Sequence, residues 1–336
     1  MNFDLTDDQR AIQRTARDFL AAGYKPEEIR RLAYETDRGF TDEGWQRICE
    51  LGWPALLVDE EHGGLGLGVV ELVVVQEELG AALAPSPFLS TIAAAALIAD
   101  AGSDEQRARW LPGLAAGEAR GTVATLRDGD GWSAVPDADG ADVVVLRDGD
   151  GWAVADGTGV RAEPAQALDP TRRLWSIEVG GEREPLPGDG ARAADVIAVA
   201  LAAESVGVAQ RTLDMAVAYA KEREQFGRPI GAYQAVSHAC AQMLLEVEGA
   251  RSTTLYAAWA LDHEPESGPL AASMAKAYAS DAGWRVPAAA LQVHGGIGFT
   301  WEHDLHLWLK RGKANAYLWG DAGEHRARVA HLIGLE

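Results

Sequence analysis

The sequence predicts an α+β chain in the order helical, β, helical: an N-terminal helical domain over residues 1–119, a small middle β domain over 120–190 and a C-terminal four-helix bundle over 191–336. Two observations lead there. Apolar residues recur at helical spacing before residue 119 and again after 191. Between them Gly, Asp and Pro become dense, and the apolar runs shorten to pieces such as Val143-Val144-Val145-Leu146 and Ser176-Ile177-Glu178-Val179. With 336 residues, 47% hydrophobic and 24% charged, the chain is long and apolar enough for about two domains and a sizeable core.

In order along the chain, Thr6-Asp7-Asp8-Gln9 has the spacing of a capping box and opens a helix with apolar positions Ile12, Ala16, Phe19 and Leu20. The same period recurs around Trp45, Ile48, Cys49 and Leu51, over 69–79 and over 91–101. Breaks fall at Gly52-Trp53-Pro54, Gly63-Gly64-Leu65-Gly66 and Pro85-Ser86-Pro87. The β region carries a near-repeat, Leu126-Arg127-Asp128-Gly129-Asp130-Gly131-Trp132 and Leu146-Arg147-Asp148-Gly149-Asp150-Gly151-Trp152. Asp-Gly pairs supply the positive-φ residues of tight turns, so two hairpins are predicted. The Asp-x-Asp-Gly spacing is also similar to a calcium loop, but no Glu closes a 12-residue frame, and no metal site is expected. Helical stretches at 195–224, 234–262, 270–293 and 301–314, with a shorter one at 322–335, are joined by short Gly- or Pro-containing connections and predict antiparallel packing.

A net charge of −21 leaves no basic excess to displace phosphate counterions, which argues against nucleic acid or an anionic lipid surface as partner. An anionic ligand must find a local basic pocket. Cys49 and Cys240 each stand in an amphipathic stretch, where a small buried hydrophobe in a reducing compartment is the expected role. The segment Met1-Asn2-Phe3-Asp4-Leu5-Thr6-Asp7-Asp8 lacks the basic and apolar regions of a secretory signal. No uninterrupted apolar run reaches the ~18 residues of a membrane span, and a cytoplasmic location is expected.

Two blocks in the last domain are specific: Arg223-Glu224-Gln225-Phe226-Gly227-Arg228-Pro229-Ile230-Gly231-Ala232-Tyr233-Gln234 and Gln292-Val293-His294-Gly295-Gly296-Ile297-Gly298-Phe299-Thr300. An Arg at a helix end, then Phe-Gly and a Pro-stiffened turn, offers a cation, an aromatic face and open backbone groups to a diphosphate. Gly295 and Gly296 remove Cβ atoms where a backbone must approach a ligand. Taken alone, each block reads equally as a helix C-cap or a solvated helix-end cation. His294, with no second ligand at metal spacing, reads as a structural hydrogen bonder.

Together the two blocks resemble the signature segments of the acyl-CoA dehydrogenase family. Leu51-Gly52-Trp53, Glu61-His62-Gly63-Gly64-Leu65-Gly66, Glu77-Glu78-Leu79-Gly80 and Gln106-Arg107-Ala108-Arg109-Trp110-Leu111-Pro112 resemble its N-terminal hallmarks, so the likeness covers nearly the whole chain. The resemblance implies an acyl-CoA dehydrogenase-like flavoenzyme fold, usually tetrameric, that oxidises the α,β bond of an acyl-CoA thioester and passes electrons to an acceptor flavoprotein. It also implies that Arg223, Gln225, Phe226, Gln234, Gln292, Gly295 and Gly296 hold the ADP half of a neighbouring subunit's FAD.

Departures from the family pattern are as specific as the matches. Where flavin-holding members carry Thr-Glu-Pro-x-x-Gly-Ser-Asp, this chain reads Gly121-Thr122-Val123-Ala124-Thr125-Leu126-Arg127-Asp128-Gly129-Asp130. No Trp-x-Thr strand follows; Trp175-Ser176-Ile177 comes late and lacks the hydroxyl. The two family positions of the catalytic Glu hold Trp319 and Ile197, and neither side chain takes a proton. Asp321 and Asp195, each two residues away, are the remaining candidates for a base. The chain therefore resembles the catalytically incomplete β-type subunit of actinobacterial heterotetrameric acyl-CoA dehydrogenases, many acting on sterol side-chain CoA thioesters, whose partner is a complete α-type homologue. Two other readings stay open: a self-sufficient homo-oligomeric enzyme with Asp321 or Asp195 as base, and a flavin-free acyl-CoA-binding or scaffold protein.

Overall fold

In the computed structural model, which describes residues 4–335, Thr6 caps the first helix as its spacing predicts. Its hydroxyl accepts from Gln9 N at 3.2 Å while its own amide donates to Gln9 Oε1 at 2.9 Å, satisfying two otherwise free amides. Residues 1–3 of the N-terminal segment read above, and Glu336, lie outside the described residues.

The α, β, α order holds. Six helices come first: α1 (Asp7–Gly23), α2 (Pro26–Glu35), α3 (Asp42–Glu50), α4 (Val69–Ala82), α5 (Phe88–Ala101) and α6 (Asp104–Ala116). Eight strands follow: β1 (Gly121–Ala124), β2 (Leu126–Asp128), β3 (Gly131–Pro136), β4 (Val143–Asp148), β5 (Gly151–Asp156), β6 (Val160–Ala165), β7 (Leu174–Val179) and β8 (Glu184–Leu186). Next come α7 (Ala191–Glu222), the two-residue strands β9 (Glu224–Gln225) and β10 (Arg228–Pro229), α8 (Gln234–His263), α9 (Gly268–His294), α10 (Leu305–Asn315) and α11 (Ala322–Leu332). The sequence did not single out α2 or α6. The first begins at Pro26 without a preceding capping signal, and the second carries Pro112 in its interior, ordinarily a breaker.

Contacts divide the chain into two compact units that are not contiguous in sequence. Residues 27–72 and 85–197 form one, with two four-stranded sheets ordered β1-β4-β5-β8 and β2-β3-β7-β6. Strand β1 runs parallel to β4, and the remaining pairs in these two sheets are antiparallel. Val144 and Leu146 join Trp132, Val135, Trp175 and Ile177 in a shared core, while α5 packs on β1 and β4. Strand β4 is therefore apolar without alternation through Val143–Leu146, as a strand covered on both faces should be. Strand β7 alternates, with Trp175 and Ile177 buried and Ser176 and Glu178 exposed. Both near-repeats are two-residue hairpin turns, with Gly129 (φ 60°) and Gly149 (φ 61°) at the first central position.

Among the described residues, 4–26, 73–84 and 198–335 form the other unit. Helix α9 packs against α8, α10 and α11, around a core that includes Leu213, Met243, Val247, Val286 and Leu305. Close helix approach depends on missing side chains: a Cβ on Gly207 of α7 would stand 1.9 Å from Glu77 O of α4, and one on Gly312 of α10 would stand 1.8 Å from Gly283 O of α9. Helix α7 is long and apolar enough to cross a membrane by length and composition, which the absence of an uninterrupted apolar run did not reveal, but 89% of its most apolar window is buried within the protein.

A charged group sits in the interior of that unit. Glu204 (3% exposed) accepts from Arg311 Nη1 at 2.7 Å and from Asn315 Nδ2 at 2.9 Å, and Arg311 is 2% exposed. Removing one partner of such a pair strands a buried charge. Arg311→Met is expected to lower unfolding stability by about 3–5 kcal/mol. Glu204→Gln combined with Arg311→Met should lower it by clearly less, measured by urea denaturation.

Candidate functional site

Helix α7 ends at Glu222, and Arg223 continues its last turn by donating its amide to Tyr219 O at 2.8 Å. Arg223 O then accepts from Ile230 N at 2.8 Å, closing the loop that contains β9 and β10. Gln225 pairs with Arg228, and the two residues between them, Phe226 (φ 53°) and Gly227 (φ 78°), both have positive φ. That is the pattern of a type I′ hairpin, and it places a phenylalanine in a conformation normally left to glycine or asparagine. Strain of this kind persists only where neighbours over-determine it. Here Tyr233 supplies part of that support: its hydroxyl donates to Gln225 O at 3.1 Å, its ring meets Phe226 edge-on at 6.4 Å, and the Arg228 guanidinium lies 4.1 Å above it. Phe226 is nevertheless 93% exposed, and Arg223, Gln225 and Gln234 are exposed with it.

The second block closes α9. Gly295 takes φ 64°, ψ −140°, a backbone state essentially confined to glycine, and its amide reaches back to the carbonyls of Leu291 and Gln292. Nothing lies within 4 Å of where a Cβ on Gly295 or Gly296 would be, and Gln292 is exposed. Buried His294 donates its Nδ1 proton to Ala290 O at 2.7 Å, a structural hydrogen bond. The structure thus gathers Arg223, Gln225, Phe226 and Gln234 at the α7–α8 corner and Gln292, Gly295 and Gly296 at the end of α9. A ring contact that the sequence did not suggest, His294 stacked on Tyr219 with centroids 4.6 Å apart, joins the two ends.

The two candidate bases stand in different surroundings. Asp321 is the N-cap of α11, accepting from Gly323 N at 2.8 Å and Glu324 N at 2.9 Å in a full capping box. Those amide bonds hold its carboxyl below the usual range, which disfavours proton uptake. Asp195 is 2% exposed within α7, two residues from the equally buried Ile197. Trp319 takes φ 63° in the turn before α11. In the sheet unit, Thr125 alone separates β1 from β2, and Trp175 is a core residue. Both cysteines are free and half-buried rather than buried; burial pushes the Cys49 thiol up to about 11 and raises that of Cys240.

Residues 6–118 match the acyl-CoA dehydrogenase N-terminal domain and 192–333 the acyl-CoA dehydrogenase C-terminal domain. Acyl-CoA dehydrogenase IpdE2 of Mycobacterium tuberculosis is 38% identical over 93% of this chain and 93% of its own. Among solved structures, a variant of the Tcur3481–Tcur3483 steroid ACAD superposes with a TM-score of 0.88 at 30% identity, covering 98% of each chain. The ChsE4–ChsE5 complex from Mycobacterium tuberculosis gives 0.91 at 25% identity over the whole of both chains. A three-part fold with both signature corners in place defines a flavin-dependent oxidoreductase scaffold. The chain belongs to the acyl-CoA dehydrogenase family.

The residues present fit the ADP half of FAD: an exposed guanidinium for the diphosphate, an exposed aromatic ring, amide side chains, and glycine backbone open to approach. Hidden from sequence reasoning was Lys276 of α9, 1% exposed, whose ammonium donates to Ser280 Oγ at 2.8 Å, Asn315 O at 3.0 Å and Gly320 O at 3.0 Å. It ties the turn carrying Trp319 to the bundle. A Lys among small residues, four before a Ser, was the only signal.

Burial pushes the Lys276 ammonium down to about 8 against the opposing pull of Asp321 and Glu324. Between about pH 8 and 10 the folded chain has released a proton that the unfolded chain still holds, so stability rises with pH through that window. The difference in unfolding free energy between the parent and Lys276→Met should therefore shift in the parent's favour, by up to roughly 3 kcal/mol, from pH 7 to pH 10. Denaturant titrations at those pH values read it.

Proposed function

We propose that this chain is the base-lacking, β-type subunit of a heteromeric acyl-CoA dehydrogenase and supplies the ADP-half contacts of FAD to a complete α-type partner. The observation that carries the reading is a split within one chain. The exposed residues Arg223, Gln225, Phe226, Gln292 and Gly296 are intact, while Trp319 and Ile197 stand at both positions of the base. The similarity to the Tcur3481–Tcur3483 steroid ACAD supports a sterol side-chain CoA thioester as substrate, and that pair together with the ChsE4–ChsE5 complex supports a heterotetramer as the assembly. A cytoplasmic location and an acceptor flavoprotein that receives the electrons complete the proposal.

FAD, if bound there, would supply a hydride acceptor for the β-carbon of the thioester, and a carboxylate would be needed to take the α-proton. In this assignment the carboxylate belongs to the partner. Arg223 neutralises diphosphate charge, Gln225, Gln234 and Gln292 donate amide hydrogen bonds, the Phe226 ring covers an apolar face, and Gly295 and Gly296 let the backbone approach. Within an acidic chain, Lys221, Arg223 and Arg228 stand at one corner beside Glu222 and Glu224 and leave it one positive charge in excess.

The chain produced alone should carry little FAD, and co-production with a complete homologue should give a yellow complex with about one flavin per pair of unlike chains. Stoichiometric flavin absorbance from the lone chain would instead favour the self-sufficient enzyme, and a colourless complex the flavin-free scaffold.

Asp321→Asn, which preserves the cap, and Asp195→Asn should leave flavin reduction by acyl-CoA within a few fold of the parent complex. A general base is worth about 10²–10⁴ in rate, so a hundredfold loss with FAD content intact would place that Asp in the active site.

A further inference from the structure

His294 and Tyr219 take no part in the assignment above, yet they connect its two halves. Tyr219 lies on the last turn of α7 and accepts the Arg223 amide, so its position fixes where the Arg223 corner begins. His294 is the last residue of α9 and immediately precedes Gly295, where the backbone turns at positive φ. The two rings stack at 4.6 Å with 23° between planes. Three groups hold the imidazole: the Tyr219 ring, the carbonyl of Ala290 at 2.7 Å, and the His303 ring at 4.5 Å, whose own Nδ1 accepts from Leu305 N. A Cβ on Gly298 would stand 3.1 Å from His294 Cβ and 2.9 Å from Leu291 O, so the turn after α9 closes against the end of that helix. Tyr219 and His294 belong to the same compact unit and come from helices 72 residues apart by the numbering of their ends, Glu222 and His294.

We infer that His294 is a positioning residue for the flavin site: its ring, stacked on Tyr219, sets the spacing between the Arg223 corner and the Gly295-Gly296 turn, and thereby how both grip one diphosphate-bearing ligand. The inference rests on the FAD assignment above. A ring-to-ring contact is suited to this task because it is short and flat and needs no charge, whereas a flexible chain in its place leaves the two corners free to drift apart. The grip on a diphosphate is sensitive to such drift, since charge-assisted hydrogen bonds weaken steeply away from their preferred geometry.

The test uses the assembled complex of this chain with a complete homologue, stripped of flavin and titrated with FAD, reading the apparent Kd by fluorescence. His294→Leu and Tyr219→Leu should each weaken FAD binding about five- to tenfold, the scale of a lost aromatic pair. The double variant should be little weaker than either single variant, because both remove one contact. His294→Phe and Tyr219→Phe, which keep the rings, should bind within about twofold of the parent, a rescue that a role limited to the Ala290 hydrogen bond would not give. Tyr219 is half-buried, so its pair of variants decides the matter even where His294→Leu does not fold. Full-strength binding by the Leu variants, or Phe variants as weak as the Leu ones, overturns the inference. Arg223→Ala separates the two levels. If it binds FAD as the parent does, the flavin assignment itself falls and the inference with it. If it binds weakly while Tyr219→Leu binds normally, only the positioning role falls.

Discussion

Two buried charges meet at Asn315, and the arrangement of the helical unit depends on them. Its side chain donates to Glu204 of α7, which also binds Arg311, and its main-chain oxygen accepts from Lys276 of α9. Taking a carboxylate, a guanidinium and an ammonium out of water costs several kcal/mol for each ion unless every lone pair and proton is used. Both Glu204 oxygens are used, and Lys276 has three acceptors. A one-residue slip of α10 would leave charges unpaired in surroundings of alanine and valine. The network therefore specifies register more than it adds stability, and register fixes where the turn with Trp319 and Gly320 must lie.

Function sits at the other end of the burial scale. The residues assigned to FAD are exposed, supported from beneath by Tyr233, Tyr219 and His294, and held by a hairpin whose Phe226 is forced to positive φ. On a lone chain such groups stand open whether the neighbour whose site they would complete is a like or an unlike subunit. In the sheet unit, Trp132, Trp175 and Ile177 fill the space between the sheets with ordinary core packing, and β1 passes to β2 through a single residue.

Much of this was legible in advance, for reasons that differ by element. The capping box at Thr6, the two Asp-Gly hairpins and the long helices of the last domain follow from local rules, so short windows of sequence sufficed. Helix α2 escaped because it starts at Pro26 with no capping residue before it, and α6 because it carries Pro112 in its interior. The residues assigned to FAD were named from spacing and resemblance, but their exposure and the Tyr219–His294 contact were not, since no local pattern links residues so far apart in the chain. Asp321 was a candidate base on sequence proximity alone. Its role as a cap became visible only when the amides of Gly323 and Glu324 were found on its carboxylate.

The sequence by itself determined the order of α and β regions and the family, because each is written in residue identity and near-neighbour spacing. Tertiary structure decided which charges are buried together, why Asp321 is a cap, and how two corners of the chain come to flank one another through stacked rings. Those outcomes depend on helix approach distances, such as the contact of Gly207 with Glu77 and of Gly312 with Gly283. Distances of that kind arise only when elements far apart in sequence exclude water from between them.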